Sequence, residues 1–197
     1  MAKRLFDLFG AALALLLLSP LLLLVASWIK LDSPGPVFFR QERVGRHGVP
    51  FRIHKFRTMA HGARGLPLTV GVDTRITRAG AFLRRTRIDE LPQFFDVLRG
   101  AMSLVGPRPE VPRYVAHYPP GLGERALAVR PGITDPASLA FIDEAALLAR
   151  AADPEREYIE VILPAKLQCA VDYAARASVR TDLGVLWRTL WLLLRQP

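Results

Sequence analysis

From Leu8 to Ile29 the chain reads LFGAALALLLLSPLLLLVASWI, an apolar stretch without a charged residue. About 20 apolar residues at ~1.5 Å each match a bilayer core of roughly 30 Å, so the stretch predicts a membrane helix. Ser19-Pro20 lies near its middle. Proline lacks a backbone donor and clashes with the carbonyl four residues back, which predicts a break there. The Ser19 hydroxyl is placed to satisfy a carbonyl that the proline frees. Lys3, Arg4 and Asp7 precede the stretch and Lys30 follows it. Positive flanks stay on the cytoplasmic side, and both flanks are positive here. The pattern therefore favours a re-entrant, helix-break-helix anchor with its bend at Ser19-Pro20 over a straight span. A cleaved signal peptide is a third alternative. Against it, the stretch exceeds the usual signal core of roughly 7–15 residues, and a single cysteine, Cys169, leaves no internal disulfide framework.

After the turn-rich exit Asp32-Ser33-Pro34-Gly35-Pro36 the apolar spacing changes. VFFRQERV and VPFRIHKFRTM, within residues 37–59, read as two strands around a turn at 45–48. Their alternation through Phe51 and Ile53 slips by one at Phe56. Residues 60–74 read as loop, with Gly62, Gly65, Pro67 and Gly71. Ile76, Phe82 and Leu83 offer contacts for a short helix over 77–85. Leu91, Phe94, Phe95 and Leu98 recur at three- and four-residue spacing, predicting an amphipathic helix within 86–100. Pro92 must lie where backbone N–H groups need no intrahelical partner, so the helix begins just before it, and Gly100 is a natural stop. AMSLVGPRPEVPR, 101–113, reads as a proline-punctuated loop, and Pro131-Gly132 breaks the chain again. Helices dominate from Asp143, with Asp153-Pro154 opening one. LGVLWRTLWLLL, 183–194, is too short to span and reads as an amphipathic interfacial helix. Trp28, Trp187 and Trp191 all fall in apolar elements, which suits the headgroup level and equally suits a core. The expected fold is α+β and mostly helical: a membrane helix over 1–31, then one domain over 32–197 with a small β-hairpin and membrane-associated helices.

The 197 residues hold 27 Lys and Arg against 18 Asp and Glu, a net charge of +9. Residues 40–113 carry 15 of those cations and six acids (Glu42, Asp73, Asp89, Glu90, Asp96, Glu110), so this segment alone supplies the surplus of nine. Such a segment points to an anionic partner: nucleic acid, phospholipid headgroups or a phosphorylated substrate. Its cations are almost all arginine, whose planar fork matches phosphate oxygens in pairs; many surface arginines are only solvated. His47, His54, His61 and His117 show no metal-ligand spacing, and Cys169 reads as a small buried residue.

Asp89 and Glu90 are the strongest candidate site. Adjacent carboxylates at a helix start point about 100° apart and can take separate roles at one reacting centre. The helix start offers free N–H groups to a phosphate, and Arg84, Arg85 and Arg87 flank the pair. A carboxylate attacking phosphorus must approach a dianionic diphosphate, and a divalent cation with arginines offsets the repulsion. Acids in a first helical turn also simply complement the helix dipole.

Three segments carry a resemblance. VFFRQERVGRHGVPFRIHKFRTM (37–59), RRTRIDELPQFFDVLRGAMSLVGPRPEVPRYV (84–115) and RPGITDPASLAFIDE (130–144) resemble, in the same order, the blocks of the bacterial sugar transferase family, the monotopic polyprenol-phosphate phosphoglycosyl transferases. The apolar helix with Ser19-Pro20 is similar too, and without extra N-terminal spans the chain looks like the short form, the catalytic unit alone. The resemblance implies transfer of a sugar-1-phosphate from a UDP-sugar to a polyprenol phosphate with release of UMP, the first membrane step of a bacterial surface glycan. It implies Asp89 as nucleophile, forming a phosphosugar-aspartate intermediate, with Glu90 orienting a metal or handling a proton. Mg2+ would bridge Asp89, Glu90 and the diphosphate. Arg108, fixed between Pro107 and Pro109, is the first expected phosphate contact, followed by Lys55, Arg57 and Arg130, with Arg87 beside the pair. Arg57 could instead pair with a carboxylate, the prolines could only shape a turn, and Arg130 could face lipid. The resemblance places the domain on the cytoplasmic face of the bacterial inner membrane. Asp135-Pro136-Ala137-Ser138 departs from the family pattern after Pro-Gly-Ile-Thr, which leaves the sugar open.

Two rivals remain at this level. A basic, membrane-attached anion- or nucleic-acid-binding protein explains the charge and the apolar helix. It does not explain paired acids amid arginines, which would repel a phosphodiester backbone, so nucleic acid is not an expected partner. A membrane-bound hydrolase would release free sugar phosphate without a lipid acceptor.

Overall fold

The apolar stretch forms one helix, α1 (Ala2–Asp32), in the computed structural model, which describes residues 1–63, 65, 68, 70, 71 and 73–195. Pro67, counted above in the 60–74 loop, lies outside the described residues. The helix runs through Pro20 without interruption, so the expected break is corrected. Pro20 cannot donate to Leu16 O, and the Ser19 hydroxyl does so instead at 2.9 Å, which keeps the ladder satisfied at the point where it was expected to fail.

Both ends of α1 are fixed to one globular body. At the N-terminal end Lys3 pairs with buried Asp182 and donates to Val105 O at 3.0 Å and to the Tyr173 hydroxyl at 3.2 Å. Buried Asp7 accepts from Ser103 Oγ and from Leu104 N at 3.1 Å. At the other end Val25 and Ile29 pack with Phe56 and Leu83, and Trp28 lies against Phe82 with ring centroids 5.4 Å apart. Between Ala11 and Val25 no residue of α1 is buried, and Leu16, Leu17, Leu23 and Leu24 face outward.

The hairpin follows as read: β1 (Phe38–Val44) pairs antiparallel with β2 (Pro50–Phe56) around a short 3-10 turn at Arg46–Gly48. Ile53 and Phe56 are both buried, which is the slip seen in the alternation. Then comes α2 (Arg78–Arg85), capped by Thr77 Oγ1 accepting from Gly80 N. The 86–100 segment splits into a 3-10 helix (Ile88–Gln93), where Pro92 needs no donor, and α3 (Phe94–Leu98). Its apolar side is divided, with Phe94 packed against the core and Phe95 and Leu98 turned outward. Phe95 and Leu98 are 43% and 37% exposed, while Gln93, Asp96 and Val97 are buried. Asp96 is drawn inward because it accepts from His54 N at 2.8 Å and pairs with His54 Nδ1 at 2.6 Å.

Two short strands replace the loop expected at 101–113 and the break at Pro131-Gly132. β3 (Ser103–Val105) runs parallel to β4 (Gly132–Thr134). A Cβ on Gly132 would lie 2.1 Å from Gly106 N, so only glycine lets these backbones approach. Short helices α4 (Pro112–Val115), α5 (Leu122–Ala126), α6 (Pro136–Ala140), α7 (Glu144–Leu148) and α8 (Pro154–Glu157) follow. A π-helical turn leads into α9 (Leu163–Arg176), and α10 (Val179–Arg195) closes the chain. One core gathers α9, Tyr114 and Tyr158; a second joins Ala11 of α1 to Ile53, Val97, Val105 and Val185. On α10, Leu183, Trp187, Leu190 and Trp191 remain outside, so none of the three tryptophans is a core residue.

Candidate active site

Arg87 takes a left-handed backbone conformation (φ 58°, ψ 12°) between α2 and the 3-10 helix. For a residue with a Cβ this costs ~1–3 kcal/mol and needs support from its surroundings. Ile88 supplies some of it by packing on the Val25–Ile29–Phe56–Leu83 cluster. The reversal presents Asp89 and Glu90 two and three residues later, in the first turn as expected, and Glu90 N donates back to Arg87 O at 3.1 Å. The pair is thus anchored beside the C-terminal half of the apolar helix.

Two cations converge on it. Lys55 comes from β2, where it stands opposite Phe39. Its Nζ donates to Glu90 Oε1 at 2.6 Å and lies 3.9 Å from Asp89 Oδ2. Arg108 donates to Glu90 through both terminal nitrogens, NH1 reaching Oε2 at 3.2 Å. The backbone of Arg108 is held in turn. Its N–H donates to Asp135 Oδ2 at 3.2 Å, Pro107 O accepts from Gly132 N at 3.0 Å, and Pro109 O accepts from Arg43 NH1 at 3.1 Å. The two prolines therefore shape the segment, and their carbonyls fasten it to β4 and the hairpin.

The two acids sit in opposite electrostatic situations although each is 7% exposed. For Asp89 burial dominates and pushes its carboxyl above the usual range, with the nearby Glu90 adding to the effect against Lys55. For Glu90 burial pulls the same way, but Arg108 and Lys55 outweigh it and hold the carboxyl well below its usual value. Burial lowers the Lys55 ammonium despite Glu90, and Glu90 raises the Arg108 guanidinium. Among the described residues the Asp89 carboxylate accepts no hydrogen bond, whereas both Glu90 oxygens face a cation. Glu90 is occupied; Asp89 is available.

This asymmetry bears on where a divalent ion would fit. Among the described residues no group of three or more His, Cys, Asp or Glu is arranged to hold one. Mg2+ keeps several waters and needs only one or two carboxylates alongside substrate phosphates. Asp89 fits that role. Glu90 is already engaged by Lys55 and Arg108.

The remaining expected contacts separate. Arg57 is buried and uses all five of its N–H donors on the end of α1: Ile29 O, Ser33 O, Ser33 Oγ, Pro34 O and Pro36 O. It has none left for a phosphate, and its partners are carbonyls and a hydroxyl rather than a carboxylate. Arg130 donates from Nε to Gly100 O at 2.9 Å, at the end of α3, where Arg4 also donates to Leu98 O. It is part of that corner and no ion pair joins it to the dyad among the described residues. The half-buried Arg87 side chain makes no hydrogen bond or ion pair there either. Three supporting residues escaped the sequence reading. Arg43 pairs with Glu110, Asp135 carries the Arg108 backbone, and Asp96 fastens His54 beside Lys55. The period-two spacing of Gln41 and Arg43 on β1 was a signal for the first; the other two gave none.

Comparison with known proteins follows the same residues. The bacterial sugar transferase family model matches residues 1–196. A UDP-glucose:undecaprenyl-phosphate glucose-1-phosphate transferase of Caulobacter vibrioides is 40% identical over 199 residues, covering 95% of this chain and 68% of the relative. A protein of the same description from Xanthomonas campestris is 40% identical over 190 residues, 94% of this chain and 37% of the relative. A UDP-N-acetylgalactosamine-undecaprenyl-phosphate N-acetylgalactosaminephosphotransferase of Aeromonas hydrophila is 50% identical over 118 residues, 59% of this chain and 28% of the relative. The chain thus spans well under half the length of the latter two. Matched from its first residue to its last but one, the chain belongs to the bacterial sugar transferase family.

Proposed function

We propose that this chain moves a sugar-1-phosphate from a UDP-sugar to a polyprenol phosphate by way of a phosphosugar ester on Asp89. The observation that carries the reading is the asymmetry of the pair: one buried carboxylate without a hydrogen-bond partner among the described residues, beside one locked between two cations. The names of the relatives specify UDP-sugars and undecaprenyl phosphate, which supports the two substrates.

In the first half-reaction an Asp89 oxygen bonds to the sugar-side phosphorus. The bond from that phosphorus to the bridging oxygen breaks, and UMP leaves with the electron pair. In the second an oxygen of the lipid phosphate attacks the same phosphorus, and the bond to Asp89 breaks to restore the carboxylate. A nucleophile with raised proton affinity is the stronger one once ionised. Lys55 and Arg108, preset by Glu90, face the charge that gathers on the phosphoryl oxygens. Glu90 holds its proton too weakly to shuttle it, so its role is to position the two cations. Mg2+ would be held by Asp89 with the diphosphate, and when bound it neutralises the charge the nucleophile must approach.

Both ends of α1 are tied to the same body, which supports an anchor held on one side of the bilayer without crossing it. Its outward leucines, with Phe95, Leu98 and the exposed face of α10, would then rest at the cytoplasmic face of the inner membrane. There a soluble UDP-sugar and a lipid phosphate meet, and the product would start a surface glycan. The test is UMP release from a panel of UDP-sugars, with and without undecaprenyl phosphate. Sustained release that needs the lipid is expected. Sustained release without lipid indicates a hydrolase, and no release with any donor overturns the reading.

A further inference from the structure

Arg108 borders a second feature, a cleft closed by the Val44-Gly45 end of the hairpin on one side and by α6 and α9 on another. Asp89 and Glu90 do not line it. Its charged groups are already matched. Lys166 pairs with Glu144, Glu110 pairs with Arg43, and Asp135 accepts the N–H groups of Arg108 and Ser138. What stays unmatched among the described residues is neutral: the hydroxyls of Tyr118 and Ser138, set among walls that include Pro109, Leu127 and Leu163.

We propose that this cleft seats the nucleoside of the donor, with Tyr118 and Ser138 meeting the polar edge of its base. The proposal rests on the transferase reading above. A hexose carries hydroxyls on every side and needs many polar partners, and a further phosphate needs an unpaired cation. A planar base has two apolar faces and a short edge of alternating donors and acceptors, which suits apolar walls with two hydroxyls that both donate and accept.

The direction of the cleft agrees. Lys55 stands opposite Phe39, close to where the hairpin leaves α1, and Phe38 and Phe39 are exposed there. Val44 lies five residues farther along β1, roughly 17 Å at ~3.4 Å per residue. The cleft therefore leads from the cations toward the end of the hairpin remote from the apolar helix. The water-soluble half of the donor takes that path, and the side of Asp89 nearest α1 is left to the lipid phosphate.

The experiment measures UMP binding by the full-length chain in lipid nanodiscs, with KM for each substrate, for Ser138→Phe and Tyr118→Phe. Ser138→Phe, which fills the cleft, should weaken UMP binding and raise the donor KM at least tenfold, with the lipid KM unchanged. Tyr118→Phe, which removes one hydroxyl, should do the same three- to fivefold, and it decides the matter if the bulkier variant does not fold. Unchanged UMP affinity in both variants overturns the proposal; an altered preference among UDP-sugars at unchanged UMP affinity would give the cleft to the sugar instead. A wild-type chain that binds UMP in a cleft-dependent way yet never transfers overturns the transferase reading while the nucleoside site stands.

Discussion

The collar at the end of α1 and the pocket at Asp89 are built from the same materials, an arginine among prolines in each, yet they do opposite things. In the collar, Arg57 gathers five acceptors and leaves no donor free, so its positive charge holds a helix end to a hairpin. In the pocket, Arg108 turns toward one carboxylate, and that carboxylate is saturated so that its neighbour stays open. An arginine in a motif is therefore a candidate phosphate ligand only as far as its donors are uncommitted. The same holds for the acids: Asp7 and Asp182 tie the N-terminal end of α1, while Asp89 accepts no hydrogen bond among the described residues and meets Lys55 only at 3.9 Å.

The contrast can be broken from its strongest point. Asp89→Asn should lower UMP release by a factor of a thousand or more without lowering the unfolding temperature, since the native carboxylate accepts no hydrogen bond from the described residues and burial disfavours its charge; steady-state kinetics beside a melting curve checks both halves. Arg108→Gln should reduce kcat/KM for the donor on the order of 100-fold, or about 2.7 kcal/mol of transition-state stabilisation. Arg57→Gln should act the other way round. It should cost about 3 kcal/mol of stability by leaving buried acceptors unmatched, with the donor KM unchanged below the melting transition, read by denaturant unfolding and kinetics on one preparation.

The smallest effect is the pH profile. Asp89 must be ionised to attack, and its carboxyl lies above the usual range. Activity should therefore be lost as pH falls through a value higher than that of an ordinary aspartate. Lys55 lowers that value, so Lys55→Met should move the acid limb to higher pH. An acid limb that stays in place would remove Lys55 from the electrostatics of Asp89.

Much of the pocket was legible because its residues are local in sequence: Asp89 and Glu90 ahead of Pro92, and Arg108 between two prolines. Lys55 could be named, but its reach to Glu90 needed the hairpin register. Arg57, two residues on, carries the same charge and faces the opposite task, which spacing alone does not reveal. Phe94, Phe95 and Leu98 share the apolar side that periodicity finds, but periodicity does not say which of them the core covers: Phe94 packs on it, whereas Phe95 and Leu98 face outward. The strands at Ser103–Val105 and Gly132–Thr134 are three residues each, and their glycines, needed for close approach, read as loop signals. Ser19-Pro20 was read as a break, although the hydroxyl that mends the ladder was in view beside it.

The most direct measurement is rapid acid quench of the wild-type chain with a UDP-sugar and no lipid, followed by mass analysis of the peptide that contains Asp89. The account predicts one added sugar phosphate on that peptide, formed together with a single equivalent of UMP and absent from Asp89→Asn. An enzyme that turns over with lipid present but carries no adduct at any quench time would contradict it, because the sugar phosphate would then pass directly to the lipid.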